Sequence, residues 1–146
     1  MRAFTFILLC FLSGPIAFAQ QLAIGDWSIH LNYTHINTML NANEKIYVGT
    51  KHGLFSYDTE DGSLTTFSKM DGLSSINITA LGYNSEAELL IVGYHDGQVD
   101  ILQNNQVINI PDIEMADIVA AKSIQHIFIN NDLAYLSCPF GLVVLN

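Results

Sequence analysis

Basic residues are scarce in this chain: arginine occurs once, at position 2, and lysine four times, at 45, 51, 69 and 122, against 14 aspartates and glutamates. Phosphate recognition requires clustered Lys and Arg, so the composition argues against a nucleic-acid partner and disfavours an anionic membrane surface. Cysteine occurs only at positions 10 and 138. Beyond the first twenty residues no run is apolar enough over the roughly 20 residues that a spanning helix needs. Also missing are G-x-S-x-G, a phosphate-cradling glycine loop and a zinc-ligand cluster, and with them the local signatures of the commonest nucleophile, nucleotide and metal enzymes.

What is present begins with MRAFTFILLCFLSGPIAFAQ, in which Arg2 precedes an apolar stretch and Ala17-Phe18-Ala19 forms a small-x-small cleavage pattern. Residues 1–19 therefore read as a secretory signal peptide, cleaved before Gln20. The apolar stretch is too short for a membrane anchor, and Ile7-Leu8-Leu9 lacks the small residue expected beside a lipidated cysteine at Cys10. The exported part, residues 20–146, keeps four lysines against 14 acids, a formal charge of −10. Only Cys138 remains in it, so no intrachain disulfide is expected and stability has to come from packing.

Three stretches share one layout around a glycine: YVGTKHGLFSYD (Tyr47 to Asp58), LIVGYHDGQVDI (Leu90 to Ile101) and YLSCPFGLVVLN (Tyr135 to Asn146). The anchors Gly53, Gly97 and Gly141 are 44 residues apart, inside the range of about 40–50 residues that marks propeller repeats. Apolar runs flank each anchor and turn residues separate them, which predicts four strands per repeat. Expected strands are 35–41, 44–50, 54–58 and 64–68 in the first repeat, and 78–83, 88–94, 99–103 and 106–110 in the second. The third repeat offers 124–129, 133–138 and 142–146. Turns are expected at Asn41-Ala42-Asn43, Lys51-His52-Gly53 and Glu60-Asp61-Gly62, the last as a type I′ turn.

The fold class expected is therefore all-β: a partial β-propeller of four-stranded antiparallel blades with a 44-residue repeat and an incomplete ring. Blades occupy about 35–68, 78–110 and, incompletely, 124–146, so that residues 20–146 form the N-terminal part of a propeller. Closed propellers carry about 4–8 blades, and a bare strand edge at Leu142–Asn146 is a template for wrong pairing. Both points lead us to expect a piece of a longer protein. Because strands alternate direction, the loop between strands two and three and the loop between blades share one face. Lys51-His52, Tyr94-His95-Asp96, Pro139-Phe140, Lys69–Ser75 and Pro111–Ser123 should form one rim, with His52, His95, Asp96 and Phe140 as candidate contacts.

The chemistry on this rim is thin. His52 and His95 are one residue out of alignment, and Phe140 takes the third place, so exposed turn side chains describe them better than metal ligands. His30 and His35 fit no metal motif. The acids of Asp58-Thr59-Glu60-Asp61-Gly62 miss the alternate positions of a calcium loop, and Cys138 reads as a buried packing thiol. Asn32-Tyr33-Thr34 and Asn77-Ile78-Thr79 match the glycosylation sequon, which is too common to carry weight. Tyr47, Tyr94, Tyr135 and Phe55 are expected to pack between blades. No catalytic residue, cofactor site or metal site is expected.

Two resemblances extend this reading. DGLSSINITAL (Asp71 to Leu81) with YVGTKHGLFSYD resembles the repeat of the periplasmic sensor propellers of hybrid two-component regulators. The wider order, IGDWSIHLNY (Ile24 to Tyr33), KIYVGTKHGLFSYD, FSKMDGLSS and AYLSCPFGLVVLN, is similar to the start of the PorZ family, surface β-propellers of the type IX secretion system of Gram-negative bacteria. That resemblance implies an exported, non-catalytic accessory protein in the periplasm or at the outer-membrane surface. Its implied partner is the sortase complex that processes cargo, with any lipopolysaccharide contact made through regions outside this chain. An enzyme built on a propeller, with its residues in later blades, is the remaining class.

Overall fold

A computed structural model describes residues 33–104 and 106–146. The expected signal peptide, Cys10, His30 and the stretch from Ile24 to Asn32, with the first residue of one sequon, lie outside the described residues.

Among the described residues, eleven strands form three antiparallel sheets. Blade 1 contains β1 (Ile36–Ala42), β2 (Lys45–Thr50), β3 (Leu54–Asp58) and β4 (Leu64–Phe67) in simple meander order. Blade 2 repeats it with β5 (Ile78–Asn84), β6 (Leu89–Tyr94), β7 (Val99–Gln103) and β8 (Gln106–Ile110). Blade 3 has β9 (His126–Asn130), β10 (Leu133–Cys138) and β11 (Gly141–Leu145). The first strands β1, β5 and β9 pack successively against one another across the blade boundaries. This is an open, partial β-propeller, and the expected strands agree with those found to within two residues at their ends.

Burial follows from the stacking. Blade 2 has a neighbour on both faces, so alternate residues of β6 point into different cores: Leu90, Val92 and Tyr94 toward blade 1, Ile91 and Leu89 toward blade 3. A strand buried on both faces reads as one continuous apolar run, which explains why LLIV shows no polar alternation. Each connection adds a plug to its own core, Leu73 between blades 1 and 2 and Ile113 between blades 2 and 3. The inner strands β1 and β5 both carry a register shift, between Ile36 and Thr38 and between Ile78 and Ala80. Equivalent bulges at equivalent positions re-aim the start of each inner strand.

One turn differs from expectation. At Glu60-Asp61-Gly62 only Gly62 has positive φ, at 73°, and the Gly62 N–H donates to the Asp58 carbonyl at 3.1 Å. A type I′ turn requires positive φ at both central residues. That condition is met instead between β1 and β2, where Asn43 (47°) and Glu44 (59°) form the two-residue link. The Asp-Gly pair sits in a five-residue loop, long enough to turn with one left-handed residue, whereas the two-residue link has no such freedom.

Candidate functional site

Of the rim expected from strand alternation, the structure joins the turns at Lys51 and His95 to the two connections. The Asn77 N–H donates to the Lys51 carbonyl at 2.9 Å, and the His95 N–H donates to the Asn77 carbonyl at 3.1 Å. Asn77 thus bridges the β2–β3 turn of blade 1 and the β6–β7 turn of blade 2, and its φ of 61° allows this double reach. Farther round, the Ile124 N–H donates to the Tyr94 carbonyl at 3.0 Å. The turn at Gly97 lies so close to the second connection that a Cβ there would be 3.0 Å from Lys122 Cβ and 3.2 Å from Ile113 Cγ2. Its φ of 93° suits glycine independently.

The four candidate side chains play different parts. His95 is exposed and His52 half-buried, the latter with its backbone N–H donating to Thr50 Oγ1 at 3.2 Å. Asp96 accepts from the Ser75 hydroxyl and from the Gln98 N–H, so it fastens the first connection to the turn of blade 2. Phe140 is half-buried against the core between blades 2 and 3. Among the described residues no three His, Cys, Asp or Glu side chains converge as metal ligands.

Sequence reasoning missed a fully buried carboxylate. Asp100 has no exposed surface, and its carboxylate accepts from Tyr94 Oη (2.7 Å), the Ser74 N–H (2.8 Å) and Asn109 Nδ2 (3.0 Å). A buried carboxylate is tolerated when donors surround it, and here they come from two strands and the first connection. Burial, together with the Asp100 carboxylate, pushes the Tyr94 phenol far above its ordinary range. The available signal was a lone acid inside the apolar run Val99-Asp100-Ile101.

Also missed were the glycines that set blade spacing. A Cβ at Gly49 would lie 2.5 Å from Ile78 Cγ2, one at Gly93 2.6 Å from Ile124 Cγ2, and one at Gly82 2.5 Å from Ile127 Cγ2. Gly49 and Gly93 are themselves 44 residues apart, so the repeat already marked them. Cys138 is buried as expected, and desolvation raises its thiol pKa. Of the four aromatics expected between blades, Tyr47 fits, stacking on Tyr83 of blade 2 with centroids 6.3 Å apart. Phe55 packs edge-on against Tyr33, ahead of β1, and Tyr135 pairs with Phe128 of its own sheet, because β9 and β10 place them in register. Tyr94 lies in the core between blades 1 and 2 while its hydroxyl turns back to its own blade.

Comparison with known proteins fits this architecture. Residues 46–146 match the family model of the type IX secretion system PorZ N-terminal β-propeller domain. Among solved structures, PorZ of Porphyromonas gingivalis, described as an essential bacterial surface component of that system, is 25% identical with a TM-score of 0.73; the match covers 79% of this chain and 16% of that one. The extracellular domain of the putative one-component system BT4673 from B. thetaiotaomicron is 18% identical, with a TM-score of 0.61 over 82% of this chain and 16% of that one. The computationally designed Ika8 protein is 14% identical, with a TM-score of 0.55 over 73% and 31%. No curated protein matches. This chain spans 16% of the length of the PorZ structure it matches. With the matched region running from β2 of blade 1 through blades 2 and 3, the chain belongs to the family of PorZ N-terminal β-propeller domains.

Proposed function

We propose that this propeller is an exported, non-catalytic accessory component of the type IX secretion system, acting through protein contacts beside the sortase that processes cargo at the cell surface. The family match over residues 46–146 carries the reading. The first twenty residues support export, since they have the form of a cleaved signal peptide. With a formal charge of −10 on residues 20–146, contact with an anionic lipopolysaccharide falls to other parts of the protein. The candidate rim contacts are His52 and His95, with Asp96 and Phe140 supporting the rim.

The test is deletion of the gene in its source bacterium, followed by analysis of cargo that bears a carboxy-terminal sorting signal. Retention of that signal and loss of cargo from the cell surface are expected. A second reading, a ligand-sensing propeller of a hybrid two-component regulator, draws on DGLSSINITAL with YVGTKHGLFSYD. Unchanged cargo processing together with a lost transcriptional response to an extracellular ligand would decide for that reading.

A further inference from the structure

Several exposed apolar side chains lie on strands of blades 1 and 3, among them Met39, Phe128 and Val144. Each sits on the face of its sheet turned away from the core shared with blade 2, since its strand neighbours Leu40, Ile127, Val143 and Leu145 are the ones that pack there. Connections expose apolar side chains too, Met70 and Ile76 on the first and, more fully, Met115 (73% exposed) and Val119 (entirely exposed) on the one between blades 2 and 3. This connection runs for fifteen residues between Ile110 and His126, five more than the equivalent one between Phe67 and Ile78.

The longer connection is fastened at both feet. Ile113 is buried in the core between the blades, and Lys122 packs on the Gly97 turn while its Nζ donates to the Glu114 carbonyl at 2.5 Å. Internal bonds from the Met115 N–H to the Pro111 carbonyl (2.8 Å) and from the Ile118 N–H to the Ala116 carbonyl (2.9 Å) shape the span between. An anchored loop has less conformational freedom left to lose on docking. Along it, exposed Asp112, Glu114 and Asp117 alternate with the apolar side chains.

We propose that the connection Pro111–Ser123 is a docking knuckle for a protein whose surface offers an apolar cleft for Met115 and Val119 rimmed by Lys or Arg. Charge selects this occupant. Three carboxylates face outward against the single lysine at the foot, which repels anionic lipid and nucleic acid. A second copy of the chain is disfavoured because residues 20–146 hold only four lysines against 14 acids. Exposed methionine is well suited to the apolar contact, since its unbranched thioether adapts to irregular surfaces. The proposal rests on the reading that this protein works through protein contacts.

The experiment places a benzophenone amino acid at Val119 of the full-length protein in the source bacterium, with Glu86, on the opposite edge of the blade, as control. Irradiation should give a protein adduct at 119 and none at 86. The crosslinked partner peptide, mapped by mass spectrometry, should carry Lys or Arg beside apolar residues. Adduct yield should fall about tenfold in Met115→Ser, and further in a variant combining Asp112→Lys, Glu114→Lys and Asp117→Lys. If the triple variant fails to fold, Met115→Ser alone and Asp117→Lys alone remain decisive, since both side chains are exposed. No adduct above the control, an adduct to lipid, lipopolysaccharide or a second copy, or a yield indifferent to charge reversal would overturn the proposal. Should the adduct form while cargo sorting survives gene deletion, docking stands and the secretion reading falls; loss of sorting without an adduct at 119 gives the converse.

Discussion

The seam between blades 1 and 2 and the seam between blades 2 and 3 share a spacing device and differ in what fills their outer clefts. In each, a glycine in the second strand of one blade receives an isoleucine of the next: Gly49 under Ile78, and Gly93 under Ile124. Hydrogen bonds then cross at similar heights, from Asn37 Nδ2 to the Ile78 carbonyl (2.9 Å) and from Thr79 Oγ1 to the Ile124 carbonyl (2.5 Å). The clefts occupy equivalent places, with volumes of about 520 and 480 Å³. Lys45, Tyr47 and Thr66 line the first where Leu89, Ile91 and Ile110 line the second. A repeat therefore constrains the backbone approach tightly while leaving the peripheral chemistry free to diverge.

The sharpest way to break the comparison is to fill the glycine seats. Gly93→Ala puts a Cβ 2.6 Å from Ile124 Cγ2 and 2.7 Å from its Cβ, atoms too near the backbone to swing aside. The expected cost is about 3 kcal/mol, the upper end for overpacking, read as a lowered midpoint in thermal or denaturant melts. Gly49→Ala should cost as much, since Ile78 Cγ2 and Thr38 Cγ2 would lie 2.5 and 2.7 Å away. If either variant melts like the wild type, close approach does not set the seam spacing.

The polar clasp of the first connection has no counterpart at the second seam, and Asp100→Ala probes that difference. It strands the Tyr94 hydroxyl and the Ser74 N–H, for an expected loss of about 2 kcal/mol and faster proteolysis within residues 68–77. Protection of that segment left unchanged would show that Leu73 alone holds it. A pH series examines the same clasp. The folded Tyr94 phenol is raised by burial first and by Asp100 second, whereas the unfolded one titrates near about 10. Above that pH the unfolded chain releases a proton the folded chain retains. Tyr94 should therefore contribute a fall in stability of about 1.4 kcal/mol per pH unit, a contribution that Tyr94→Phe removes. The smallest effect concerns the cleft itself. A double-mutant cycle on Tyr47 and Tyr83 should give a coupling of about 1 kcal/mol, and a coupling of zero would make their stacking incidental to the seam.

Much of this was legible in the chain. Gly53, Gly97 and Gly141 revealed the period, and strand limits then came within one or two residues because alternation and turn residues act locally. The rim followed from strand direction alone. Illegible were the partners of particular side chains. His52, His95, Asp96 and Phe140 looked alike as turn residues, yet the fold directs Phe140 into a core and makes Asp96 a clasp for Ser75. Nothing near Asp100 in the chain marks it as buried, because one of its donors, the Ser74 N–H, lies 26 positions earlier. The type I′ turn was assigned to Asp61-Gly62, although loop length, not the dipeptide, decides which hairpin needs two left-handed residues.

By itself the sequence determined the period, the all-β meander within each blade and the acidic character of the surface, because these depend on neighbouring residues and on composition. Tertiary structure alone decided which glycines are seats, which acid is buried and which apolar side chains remain in solvent on the second connection. Those outcomes depend on residues distant in the chain, Gly49 with Ile78, Gly93 with Ile124 and Ser74 with Asp100, meeting where a single methyl group or hydrogen bond does or does not fit.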